Sequence, residues 1–233
     1  MIGHYAMAAA TAALRQTVER AVALAVNGAS VTLRRPVSAD ASELGGPRAN
    51  LYLYQAEPAA EQRNADLPFL AADGSLRGRP RIPYELRFLI SFYGDDARYE
   101  PQLMAAKVLQ ALHASQPELS FDGTDELESA LLLDTTPNAS PDELRDELDS
   151  LRQQLVEDYL AMRRLGLHFF QVPLSVSELS QLWSFLFRAP YTLTIAWQCS
   201  AVWVEAASDI PSPPRVQQVK TRVISGTAAG EAP

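Results

Sequence analysis

The sequence predicts a mixed α/β (α+β) domain, with a sheet of about four to five strands flanked by helices. Three observations carry this expectation. Two long segments alternate apolar and polar residues with the period of a strand. Other segments repeat apolar residues at the three-and-four spacing of a helix, and the two kinds interleave along the chain. With 233 residues, 47% of them hydrophobic, the chain can close one substantial core.

The first element is a helix over residues 4–26, in which Met7, Ala10, Leu14, Val18, Ala21 and Ala25 share a stripe whose small side chains allow close packing. Asn27 and Gly28 supply its stop. Residues 30–37, SVTLRRPV, read as a strand; residues 40–47 are a polar, glycine-containing loop; NLYLYQ, residues 50–55, is a second strand; and residues 57–79 are loop-like. In the long segment RIPYELRFLISFYG, Ile82, Tyr84, Leu86, Phe88, Ile90 and Phe92 alternate with Arg81, Glu85, Arg87 and Ser91. A helix over residues 97–115 follows, with Met104, Val108, Ala111 and Leu112 on one face and Asp95 and Asp96 at its N-terminus, where aspartate caps and complements the macrodipole.

Ser140, Pro141 and Glu143 form a capping box with proline at the first helical position. They open a charged helix striped by Leu144, Leu148, Leu151, Leu155, Tyr159 and Met162 and ending near Gly166. LHFFQVP then reads as a short strand. Ser175 and Glu178 form a second capping box, flanked by Leu174 and Leu179 as a hydrophobic staple. The helix they start carries Leu179, Leu182, Trp183 and Leu186 on one face and stops at Pro190. From Tyr191 the period becomes two: Tyr191, Leu193, Ile195, Trp197, Cys199, Ala201 and Trp203 fall on one face, and Thr192, Thr194, Gln198 and Ser200 on the other. Val202 and Val204 make the far end apolar on both sides. Both alternating segments exceed the usual ~5–6 residues, which predicts that they are the central pair of the sheet. From Ala206 the composition turns proline-rich, then polar, then Gly/Ala-rich, so residues 1–206 are expected to form the compact domain and 207–233 a flexible tail. Within that tail, Val216, Val219, Val223 and Ile224 are β-branched at a density that suits strand addition to another subunit, and they are the candidate interface residues.

A formal net charge of -8 and a sequence pI near 4.9 argue against nucleic-acid binding, which draws its affinity from clustered Lys and Arg. The basic pairs, such as Arg34 with Arg35, are short. No run reaches the ~18 apolar residues of a membrane span, so the expectation is a cytoplasmic chain without a membrane partner. Cys199, the single cysteine, cannot form an internal disulfide and reads as an inert buried thiol.

No catalytic, cofactor or metal motif emerges. His4, His113 and His168 lie in or beside different elements, no P-loop, G-x-S-x-G or G-x-G-x-x-G stretch occurs, and the acidic run DELRDEL lacks the glycine and alternating ligands of a calcium loop. An enzyme reading would need a dispersed site, for which Asp95, Asp96 and His113 are the candidates.

Three blocks, GPRANLYLYQAEPAAEQRNADLP, RIPYELRFLISFYGDDARYEPQLMAAKVLQALHASQPEL and QVPLSVSELSQLWSFLFRAPYTLTIAWQCSAVWVE, together resemble the cap, or tail-terminator, family of contractile injection systems. They cover about residues 45–119 and 170–205; residues 120–166 match less well. The specific features are the aspartate pair after the long strand and the SELSQLW helix followed by PYTLTIAWQCS. The resemblance implies a phage tail-terminator-like fold and a structural role. In that role a ring, expected to be a hexamer, ends polymerisation of the inner tube and sheath at the end distal to the baseplate. The tube and sheath proteins are then the partners, and the chain assembles in the cytoplasm into a phage-tail-like particle. The terminator of a true contractile phage tail is the related alternative.

Overall fold

The structure, a computed structural model, describes residues 5–36, 46–60, 81–118, 141–164, 166–187 and 191–205, with backbone alone for 141–148 and 185–187. The elements run α1 (Ala6–Ala25), β1 (Ser30–Thr32), β2 (Arg48–Pro58), β3 (Arg81–Tyr93), a 3-10 turn (Asp96–Arg98), α2 (Glu100–Ala114), α3 (Pro141–Arg164), β4 (His168–Gln171), α4 (Val176–Gln181), a π-helical turn (Leu182–Phe187) and β5 (Thr194–Glu205). The strands form one mixed sheet in the order β1-β2-β3-β5-β4, with β1 parallel to β2 and the remaining neighbours antiparallel. The two long alternating segments, β3 and β5, are hydrogen-bonded neighbours inside the sheet, as their length predicts.

The main core lies between one sheet face and the helices. The α1 stripe of Ala10, Leu14, Val18 and Ala21, the α2 residues Met104 and Val108, and Leu155 and Met162 of α3 meet Leu51, Leu86, Phe88, Ile90, Phe92, Trp197 and Cys199. Each large side chain buried here contributes roughly 1.5–3 kcal/mol relative to exposure. The other sheet face is covered too. Leu89 and Ala196, a cross-strand pair, pack with Trp183 beneath α4, with Tyr52, Tyr54, Leu174 and Leu179 around them. One buried face is the expectation from alternation; the second layer is a correction, because an apolar residue at position 89 or 196 on the polar side is too sparse to read as a face.

A single residue resets the register of β5. Tyr84 pairs with Val202 and Leu86 with Cys199, so Glu85 alone faces both Ser200 and Ala201. Ala201 takes a left-handed φ of 59°, and this bulge puts Val202 on the face that Cys199 occupies. A second bulge at Tyr54 in β2 lies between the pairs Leu53 with Phe88 and Gln55 with Arg87. The cross-strand ion pair Arg81–Glu205, 2.9 Å, lies in register at the end of β3 and β5.

Several boundaries differ, and β5 begins at Thr194 where the period-two pattern begins at Tyr191. Residues 30–37 are a strand only through Thr32. Strand β2 extends to Pro58, beyond the predicted Gln55. The predicted helix over 97–115 is broken by Tyr99, φ 58°, into the 3-10 turn and α2. The helix after Ser175 is α-helical for six residues and then π-helical. Ile82, expected on the core face, is 51% exposed at the start of β3, and Tyr191, outside β5, lies against Trp183 with ring centroids 5.7 Å apart. The Ser175 capping box forms as predicted: Ser175 N–H donates to Glu178 Oε2 at 2.8 Å, and Glu178 N–H to Ser175 Oγ at 3.2 Å. The Ser175 hydroxyl also donates to that carboxylate, which holds Glu178 below its ordinary pKa. The capping box at Ser140 lies outside the described residues.

Candidate interaction surfaces

The dispersed catalytic constellation does not assemble. Asp95 caps the 3-10 turn, its carboxylate accepting from Ala97 N–H at 2.9 Å, while its own N–H donates to Glu100 Oε2 at 2.8 Å. The aspartates therefore serve helix initiation, although of a separate turn. His113 stands at the far end of α2, thirteen residues after Glu100, or about 20 Å along the axis. There it packs on Trp197, with centroids 5.5 Å apart, and its Nε2 lies 3.3 Å from Gln171 Oε1. No proton could pass between groups so placed without a long relay. Among the described residues no group of three or more His, Cys, Asp or Glu is arranged to hold a metal ion. His168 stacks edge-on with Phe170, and His4 lies outside the described residues. Cys199 is fully buried in the main core, and burial pushes its thiol pKa well above the ordinary value, in agreement with an inert role.

The surfaces that remain are suited to docking. A groove of about 500 Å³ runs between α1 and α2, lined by Arg20, Ala21, Leu24, Lys107, Gln110 and Ala111. Leu24, 77% exposed, and Leu103 flank it and the adjoining hollow. The sequence reading missed both leucines. The signal was available, since Leu24 falls off the α1 stripe and Leu103 off the Met104 and Val108 face, and an aliphatic residue off its helix's buried stripe is exposed by geometry.

The two sheet edges are not equivalent. On β4, Phe169 N–H donates to Gln116 Oε1 at 2.7 Å and Phe169 C=O accepts from Gln116 Nε2 at 3.1 Å, so one side-chain amide occupies both backbone groups of that residue. Leu167 N–H is taken by Met162 C=O at 2.9 Å. On β1, Ser30 N–H donates to Pro47 C=O at 3.3 Å, and the pairing Val31 with Ala49 turns Ser30 and Thr32 towards β2 and Val31 away from it. Beyond Thr32 the ladder is continued by a side chain. Asn50, 3% exposed, accepts from Thr32 Oγ1 at 2.9 Å and Arg34 N–H at 3.1 Å, and donates to Arg34 C=O at 2.9 Å.

The candidate interface residues Val216, Val219, Val223 and Ile224 lie outside the described residues. The family described as the Pvc16 N-terminal domain matches residues 9–218, which include Val216 and end before Val219, Val223 and Ile224. The chain belongs to the Pvc16 N-terminal domain family. This Pvc16-type chain matches no curated protein. Among solved structures it is similar to the PVC sheath/tube terminator of an extracellular contractile injection system in the extended state, at 13% identity and a TM-score of 0.42. That alignment covers 94% of this chain and 64% of that one. It is also similar to the anti-feeding prophage cap, a tube terminating cap, at 12% identity and a TM-score of 0.39, over 89% of this chain and 59% of that one. The Pvc16-type chain thus spans less than two thirds of either. No helix among its described residues is long and apolar enough to cross a membrane.

Proposed function

We propose that this chain is a structural cap protein of a contractile injection system. Six copies form a ring on the last layer of the inner tube and sheath, at the end distal to the baseplate, and stop both from growing. Membership of the Pvc16 N-terminal domain family over residues 9–218 carries the reading, together with the resemblance of the three sequence blocks to the cap family. The physical features agree with it. A sheet packed on both faces is stiff enough to serve as a wedge between neighbours, and the exposed leucines of the α1–α2 groove supply apolar surface of the kind subunit contacts bury.

The tail, residues 207–233, engages the sheath by strand addition through Val216, Val219, Val223 and Ile224. Assembly takes place in the cytoplasm. Electron microscopy of particles from cells with and without the gene tests the reading: loss gives over-long, uncapped or collapsing tubes and sheaths. Unchanged length and end structure would sink it. Deleting residues 207–233 leaves the ring but weakens sheath attachment; particles identical to wild type would remove the tail from the account.

A further inference from the structure

We propose that the groove between α1 and α2 seats a segment of this chain itself, the acidic, leucine-bearing stretch of residues 124–134, TDELESALLLD. The groove holds about 500 Å³, and its lining combines apolar and cationic side chains. Ala21, Leu24, Ala111 and Ala114 supply the apolar part, and Leu24 is left 77% exposed. Arg20 and Lys107 supply the charge. Among the described residues, Arg20 donates to Gln16 C=O and Lys107 to Gln110 Oε1, each within its own helix, and neither has an ion-pair partner.

The chain's own path leads to the groove. Gln116 is fixed by its two bonds to Phe169, and Pro117 C=O accepts from the Tyr159 hydroxyl. The described residues then stop at Glu118, which itself lines the groove, and resume at Pro141, the start of α3. The α1 wall from Thr17 to Leu24 is about 10 Å long, whereas residues 119–140 can extend to about 70 Å, so the stretch can run along the groove and return. Composition then selects the seat. Leu127 and Leu131 offer aliphatic side chains to Leu24 and the alanines, and Asp125, Glu126 and Glu128 offer the charge opposite to Arg20 and Lys107. The C-terminal tail is not complementary, because its Arg215, Lys220 and Arg222 repeat the sign of those cations. A second copy is disfavoured by tethering: a segment that starts at the groove is present there at an effective concentration in the millimolar range. Under the cap reading a neighbour meets the groove with this segment already in it, but the contact itself does not rest on that reading.

Disulfide trapping in the purified full-length protein tests the contact without any other particle component. Protein carrying Leu24→Cys and Leu127→Cys is oxidised in dilute solution, and the disulfides are mapped by peptide mass spectrometry; the native Cys199 is buried and stays out of the exchange. The control pairs Leu127→Cys with Leu160→Cys, an exposed position on α3 outside the groove lining. The expected product is an intrachain disulfide between positions 24 and 127, formed about tenfold faster than the control pair closes. Equal rates for the two pairs, or disulfides that join two copies, overturn the proposal. Arg20→Glu with Lys107→Glu should slow the 24 to 127 reaction about fivefold, as expected for two exposed ion pairs lost together. A rate that charge reversal leaves unchanged also overturns it, because charge is what singles out this stretch.

Discussion

Replacing Asn50 with alanine tests how the β1 edge is built. The side chain is buried and makes three hydrogen bonds, of 2.9, 3.1 and 2.9 Å, to the Thr32 hydroxyl and to both backbone groups of Arg34. A typical intramolecular bond contributes about 1 kcal/mol net, and a buried group left unpaired costs about 1–3 kcal/mol. Arg34 is exposed, so water can reach its freed groups, which discounts the second figure. The expected loss is therefore about 2–3 kcal/mol, or about 5–10 °C in Tm for a domain of this size. Urea unfolding followed by fluorescence of Trp197 and Trp203, which lie in β5, would give the free energy, and hydrogen exchange at the Arg34 amide would locate it. Thr32→Val removes only the hydroxyl bond and should cost about 1 kcal/mol. A change within about 0.5 kcal/mol for Asn50→Ala, with Arg34 exchange unaltered, would refute the claim that this side chain extends the strand.

The Tyr159 hydroxyl is buried and donates to Pro117 C=O, and burial is the main reason its pKa is raised to about 12. A raised folded-state pKa stabilises below the unfolded value of about 10 and loses that contribution as pH rises towards 12, so stability should fall over that window. Tyr159→Phe should flatten the decline and cost about 1–3 kcal/mol at neutral pH; an unchanged alkaline profile would contradict the assignment. Tyr99 holds a left-handed φ of 58° while 68% exposed, so Tyr99→Gly should relieve about 1 kcal/mol of strain with little burial to lose, as measured by urea unfolding. Cys199 should react with iodoacetamide only as fast as the main core opens; labelling of native protein at the rate of a free thiol would disprove its burial.

The sequence reading works where one element's own periodicity is enough. The α1 stripe, the core alternation of β3 from Leu86 to Phe92 and the Ser175 capping box depend on neighbours within four residues, and the structure matches them. The pairing of β3 with β5 follows from their length. It fails where a partner distant in the chain decides. The β5 bulge at Ala201 is defined only opposite Glu85, and the short β1 is completed by Asn50, eighteen positions after Thr32. The second packed layer exists because Leu89, Ala196 and Trp183 converge from three elements.

The site was legible to a different degree. Sequence placed the aspartates in helix initiation and Cys199 in the core, and it raised a catalytic reading for Asp95, Asp96 and His113 that only the length of α2 could dismiss. Which apolar residues remain for partners was not legible, since Leu24 and Leu103 have the composition of core residues and the exposure of an interface. By itself the sequence determined the elements, the order in which they alternate and the family, because periodicity, capping and motif order are local. Tertiary structure alone decided the register, the capture of both backbone groups of Phe169 by Gln116 and the extension of β1 by the Asn50 side chain, because a backbone group finds its partner only through what folding brings beside it.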